Sequence, residues 1–158
     1  MTSVRGPSNE IQVATVTLSD AQIKLLLAGF DIVPAPGPGK FLMFIAASIS
    51  LDATAGAYTG EDASDPSNPF TSSLYFALDP TNIVTDASDP VPLAMFAGAA
   101  KVVAWVPQLS DTDVFLNDAN VVENLPLGIV FQNSVNLSGG NPANTLKVTV
   151  YYVVVTLQ

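Results

Sequence analysis

The chain has 158 residues, half of them apolar and 12% charged, with fourteen acids against five bases and a formal charge of −9. That length suits one domain able to bury roughly 70% of its unfolded surface, and the composition excludes a disordered chain or a coiled coil. The five cations, Arg5, Lys24, Lys40, Lys101 and Lys147, offer no basic patch to displace counterions from a nucleic acid, so direct nucleic-acid binding is not expected.

Cysteine and histidine are both absent. Ser-His-Asp and Cys-His nucleophile systems, Cys/His zinc sites and histidine pH switches are therefore excluded. The polar start MTSVRGPSNE is not a secretory apolar segment. The most membrane-like window, VPLAMFAGAAKVVAWVP at 91–107, contains Lys101 and is bracketed by prolines, so it reads as two buried strands or a strand and a turn, with no membrane partner.

In chain order, residues 1–10 read as a flexible or partner-held arm and 11–158 as a single β-sandwich domain. A first strand is expected over Ile11–Thr17. In LSDAQIKLLLAGF, Ser19 is placed as N-cap with Gln22 at N3. Leu18 and Ile23 fall at the staple positions and Gly29 at the stop, which predicts a helix of about two turns.

A short strand FDIV leads into PAPGPGKF. A phosphate loop needs inward N–H groups and Gly-Lys-Ser/Thr opening a helix. Here Pro34, Pro36 and Pro38 lack N–H groups and Phe41 follows Lys40, so the segment predicts a stiff chain reversal instead.

The next strand alternates, with Phe41, Met43, Ile45, Ala47, Ile49 and Leu51 on one face and Leu42, Phe44, Ala46, Ser48, Ser50 and Asp52 on the other. The last strand sets Leu146, Val148, Val150, Tyr152 and Val154 on one face and Lys147, Thr149, Tyr151, Val153 and Val155 on the other. An antiparallel pairing of the two predicts an outer apolar patch of Leu42, Phe44, Val153 and Val155, covered by the helix or by another subunit. Between them SLYFAL, NIVT, KVVAWV, DVFL and LPLGIVFQ read as short strands, the last presenting Leu125, Leu127, Ile129 and Phe131 on one face. The total is about eight strands and one short helix, the all-β sandwich or jelly-roll class.

The acidic segments at 60–69 and 110–118 admit two readings. Asp111, Asp113 and Asp118 could hold calcium through hard oxygen ligands, or the acids could initiate turns; EF-hand spacing is absent. Glu10, Glu61 and Glu123 are the glutamates available for paired-carboxylate chemistry, but nothing in their spacing brings two together. Ser19, Ser48 and Ser134 have no base beside them in sequence. Trp105, Tyr58, Tyr75, Tyr151 and Tyr152 could form a sugar platform, although Trp105, flanked by valines, reads as core and the tandem tyrosines as the end of a strand at an interface. No enzyme is expected.

TVTLSDAQIKLL, FDIVPAPGPGKFLMFIAASISLD and NTLKVTVYYVVV together resemble the small jelly-roll decoration, or cement, proteins of tailed-bacteriophage capsids. The resemblance covers both ends of the chain and not residues 53–120. It implies a homo-oligomer, often a trimer, on the outer capsid surface of the virion, made in the host cytoplasm and tying neighbouring capsomers of the major capsid protein together without a cofactor. On this reading the contacts come from Val4 and Arg5 in the arm and from Leu42, Phe44, Tyr151, Val153 and Val155 on the sheet. The competing reading is a receptor- or carbohydrate-binding knob of a phage fibre or tail, using residues 56–70 and 107–120.

Overall fold

The structure, a computed structural model, describes residues 10–59, 73–79, 82–83, 91–92, 96, 98–107, 123–132 and 137–156. In chain order these contain β1 (Gln12–Ser19), α1 (Asp20–Lys24), β2 (Phe30–Val33), β3 (Lys40–Asp52), β4 (Tyr58–Thr59) and β5 (Ser73–Asp79). They continue with β6 (Asn82–Ile83), β7 (Val91–Pro92), β8 (Lys101–Pro107), β9 (Leu127–Gln132), β10 (Ser138–Gly139) and β11 (Thr145–Thr156). Residues 1–9 of the expected arm at 1–10, and the expected strand DVFL, lie outside the described residues.

Two antiparallel sheets form, one in the order β1-β11-β3-β8 and the other β2-β9-β5-β6, with β7 also on β5; β4 and β10 make a separate ribbon. The first long strand thus pairs with the last, β2 with β9, β3 with β8, and β5 with the short strands that follow it. This is a long hairpin rolled up on itself, the jelly roll. The all-β architecture with one short helix is as the sequence indicated.

The two sheets share one core. Leu18, Leu42, Phe44, Ile49, Leu51, Leu146, Val148 and Val150 enter it from one side, and Val33, Leu127, Ile129 and Phe131 from the other. Each such side chain removed from water contributes roughly 1.5–3 kcal/mol. Tyr58, Phe96 and Phe131 form a chain of edge-to-face rings with centroids 5.8 and 5.5 Å apart.

The helix starts as its residues predict. Gln22 Oε1 accepts hydrogen bonds from the Ser19 N–H and hydroxyl, both at 3.0 Å, while Lys24 donates to Asp20 at 2.7 Å across one turn. A single 3-10 turn at Leu26–Ala28 follows. Ile23 and Leu26 are fully buried, so the helix plugs the core and does not cover an outer sheet face.

Strand β3 departs from simple alternation. Tyr151 pairs with Ala46 and Tyr152 with Phe44, which leaves Ile45 as an extra, unpaired residue. A bulge of one residue exchanges the two faces of everything beyond it. The inward set is therefore Leu42 and Phe44 before the bulge, and Ala47, Ile49 and Leu51 after it.

Two corrections follow. Leu42 and Phe44, expected on an outer patch, are core residues, and Phe41 and Met43 take the outer positions opposite Val155 and Val153. Trp105, expected in the core, is 59% exposed, because β8 is an edge strand whose Val102 and Ala104 point the other way.

Candidate interaction surface

The outer face of the β1-β11-β3-β8 sheet is divided across its length. At one end, paired rows hold Thr17, Lys147, Ser50 and Val103, then Ser19, Thr145, Asp52 and Lys101. Thr15 and Thr149 share a hydrogen bond of 3.0 Å in the row beside them. The other end is apolar, with Val13, Tyr151 and Ala46 in one row and Val153–Met43 and Val155–Phe41 beyond it. Along this face β3 runs from apolar to polar and β11 from polar to apolar, so antiparallel pairing brings like ends together.

Exposure within this face is uneven. Val153 is only 3% exposed, already covered within the single chain, and Val155 and Tyr151 are half-buried. The large apolar side chains that stand in water are on the two edge strands: Ile11 (61%) and Val13 (56%) beside β11, Val103 (71%) and Trp105 on β8. The Trp105 ring tilts against Tyr151, with centroids 5.7 Å apart. Of the expected contact residues, Tyr151, Val153 and Val155 do lie on this face; Val4 and Arg5 lie outside the described residues.

Sequence reasoning missed Val13, Val103 and Trp105 as surface residues. The signal was faint. Lys101 and Pro107 at the ends of β8 are marks of an edge strand, and in an edge strand the residues sharing the Lys101 face turn outward.

The other candidate groups are dispersed. The Pro-Gly turn does present N–H groups inward, at Gly37 and Gly39 with φ of 95° and 73°, but the chain itself occupies them. Asn124 Oδ1 accepts from Gly37 at 2.9 Å, and the Glu123 carboxylate accepts from Gly39. Asn124 in turn donates its backbone N–H to the Lys40 carbonyl at 2.8 Å. The segment is a locked reversal and not an anion cradle. Ser19 serves the helix cap, Ser48 lies on the outer face opposite Trp105, and Glu10 is exposed. Glu61, Ser134, Asp111, Asp113 and Asp118 fall outside the described residues, among which no three His, Cys, Asp or Glu side chains could hold a metal. No helix among them is long and apolar enough to cross a membrane.

Two carboxylates stand in contrasting surroundings. Asp52, beside the Trp105 face, accepts the Thr54 hydroxyl at 2.7 Å and pairs with Lys101 at 3.0 Å, and these contacts, the Thr54 hydroxyl foremost, lower its pKa to about 2. Asp20 is buried near the Tyr58 phenol and Asn144, which donates from Nδ2 to the Gly56 carbonyl at 2.7 Å. Asp20 Oδ1, the Tyr58 hydroxyl and Asn144 Oδ1 are all shut off from solvent with no well-aligned hydrogen bond among them.

Burial is the main reason the Tyr58 phenol is pushed up to about 12; Asn144 acts in the opposite sense and the Asp20 carboxylate adds to the rise. The folded state therefore holds the neutral phenol, and the unfolded chain ionises first as pH rises past about 10. Stability from this group is intact below pH 10 and should fall by up to about 2 kcal/mol between pH 10 and 12. Urea midpoints measured across that range should show the decline in the parent chain and a shallower one in Tyr58→Phe; parallel curves would show that Tyr58 is not its source.

Comparison of the chain with protein-family models, with curated proteins and with solved structures finds no match.

Proposed function

We propose that the chain is a structural virion subunit, a capsid decoration or cement protein that binds the outer surface of a tailed-phage head, bridges neighbouring capsomers of the major capsid protein and associates with copies of itself. The observation carrying this reading is the apolar exposure on one sheet face, where Ile11, Val13, Val103 and Trp105 stand in water on the two edges of a jelly roll. Such residues cost solubility in a lone molecule and contribute binding energy when another protein covers them. The face also suits contact with protein in its charge: Lys147, Lys101 and Asp52 are its only ionised side chains among the described residues, in a chain of −9.

Trp105 is the only tryptophan, so its emission reports on this face alone. Purified protein mixed with heads lacking it should co-sediment with them, and the Trp105 emission should shift to the blue as water leaves the ring. Trp105→Ala should bind at least about tenfold more weakly, the loss typical of an aromatic anchor. Protein that stays in the supernatant at tens of micromolar, with unchanged emission, would overturn the reading.

A second reading, a carbohydrate-binding knob, is favoured by one feature, the exposed Trp105 tilted against Tyr151, since aromatic faces stack on sugar rings. Strong binding on a glycan array, lost in Trp105→Ala and unaffected by heads, selects it.

A further inference from the structure

We propose that the β1-β11-β3-β8 sheet continues from one copy of the chain into the next, with β8 of one copy pairing antiparallel to β1 of its neighbour, in a ring that closes. This deepens the self-association named above and takes from that reading only the identity of the partner.

The argument begins with the edges. Among the described residues no strand lies beyond β1 or β8, and no loop backbone bonds to either. Folded proteins blunt such edges with charge, proline or a bulge. β1, QVATVTLS, has none of these: it carries no charged residue, no proline and no glycine, and all eight residues pair with β11 in unbroken register. β8 has Lys101 and Pro107 only at its ends, with VVAWV bare between them.

The directions are compatible. β1 opposes β11, β11 opposes β3 and β3 opposes β8, so β8 already runs antiparallel to β1. Setting copies edge to edge preserves the alternation. Placing Val103 opposite the neighbour's Val13 puts Trp105 opposite the neighbour's Ile11 and Lys101 opposite the neighbour's Thr15. Outer side chains then meet outer ones, and Val102 and the neighbour's Ala14 meet on the inner side.

One contact of this kind packs Ile11, Val13, Val103 and Trp105 flank to flank across the seam and leaves their outward tips to a further partner; Leu25 is the other large apolar residue exposed among those described. A two-fold pairing of β1 with a second β1 would leave Val103 and Trp105 in water. Charge presents no obstacle, because β1 is uncharged and Lys101 is already paired with Asp52. In this register Lys101–Trp105 pair with residues 11–15 of the neighbour, a five-residue ladder about 17 Å long that, with side chains on both faces, covers on the order of 300 Å² per copy. Each contact is small beside a standard interface, and a copy in a ring makes two of them, so that closure holds every copy at both edges. A contact between two different surfaces generates rings when the rotation closes.

The chain has no cysteine, so introduced thiols report alone. Val13→Cys and Val103→Cys are at exposed positions that the fold tolerates, and directly opposed strand residues lie close to the Cβ spacing a disulfide needs. Under mild oxidation the double variant should run as a covalent ladder that converges on one closed species, while each single variant stays uncross-linked. Light scattering of the unmodified chain should give the same multiple. Dimers from Val13→Cys alone would overturn the pairing in favour of a two-fold contact, and a double variant that remains monomeric would overturn it outright. A monomer that still co-sediments with heads defeats this inference and leaves the decoration reading standing; a ring that ignores heads does the reverse.

Discussion

Phe44→Ala is expected to lower the free energy of unfolding by about 3–5 kcal/mol, the cost of emptying a buried phenylalanine site. Phe41→Ala, three residues earlier on the same strand, should cost less than half as much. The difference follows from the bulge at Ile45, which turns Phe44 into the core opposite Tyr152 and leaves Phe41 half-buried on the outer face opposite Val155. Urea unfolding followed by circular dichroism measures both, and it does so without relying on Trp105, whose exposed ring reports poorly on the core. Equal losses, or a larger one for Phe41→Ala, would mean that β3 alternates without the bulge. Because a domain of this kind is stable by only about 5–15 kcal/mol in all, the Phe44 variant should also be the more prone to aggregate.

Gly140→Ala should destabilise the fold by about 3 kcal/mol, from the sum of a left-handed backbone and a steric overlap. Gly140 has φ of +68°, and a Cβ there would sit 2.5 Å from Asp20 Oδ1 and 2.5 Å from Tyr58 Cε1. Neither neighbour is at the free end of a flexible chain: Tyr58 is held in the core against Phe96, and Asp20 is tied to Lys24. Thermal unfolding of Gly140→Ala, Tyr58→Leu and the double variant separates the terms: Tyr58→Leu removes the ring carbons that the new Cβ meets, so the double variant should lose less than the sum of the two single variants, and the shortfall is the overlap. A Gly140→Ala chain as stable as the parent would mean that Asp20 and Tyr58 are not packed as described.

The two substitutions probe different parts of the fold beneath and beside the outer apolar face. Phe44 lies beneath the sheet whose outer side carries the apolar face, and loss of that packing lets β3 and β11 shift together. Gly140 lies at the junction where the helix, β4 and the turn before β11 meet, well away from Trp105 in sequence. Stability should therefore fall in both variants; on the decoration reading proposed above, binding to heads by the fraction that remains folded should be kept in Gly140→Ala.

Much was legible before any coordinates. The capping box at Ser19 and Gln22, the buried staple residues Leu18 and Ile23, the reversal at Pro38-Gly39 and the inward set Leu146, Val148, Val150 of β11 all depend on neighbours a few residues away, and local chemistry is what a sequence displays. The absence of histidine and cysteine likewise removed whole classes of chemistry from composition alone. The outward position of Tyr151, Val153 and Val155 followed from unbroken alternation in β11, whose polar residues Lys147 and Thr149 mark one side.

Tertiary structure decided the rest. The run FLMFIAA at 41–47 is apolar at every position, so no polar residue records which face looks inward, and only pairing with β11 shows that Ile45 is extra. VVAWV carries the same ambiguity: it reads as core until the strand order puts β8 at an edge, which turns Val103 and Trp105 to water. Where local pattern distinguishes the two sides of a strand, sequence suffices to orient it; where both sides are apolar, orientation is set by long-range register and by which strand happens to lie next to it.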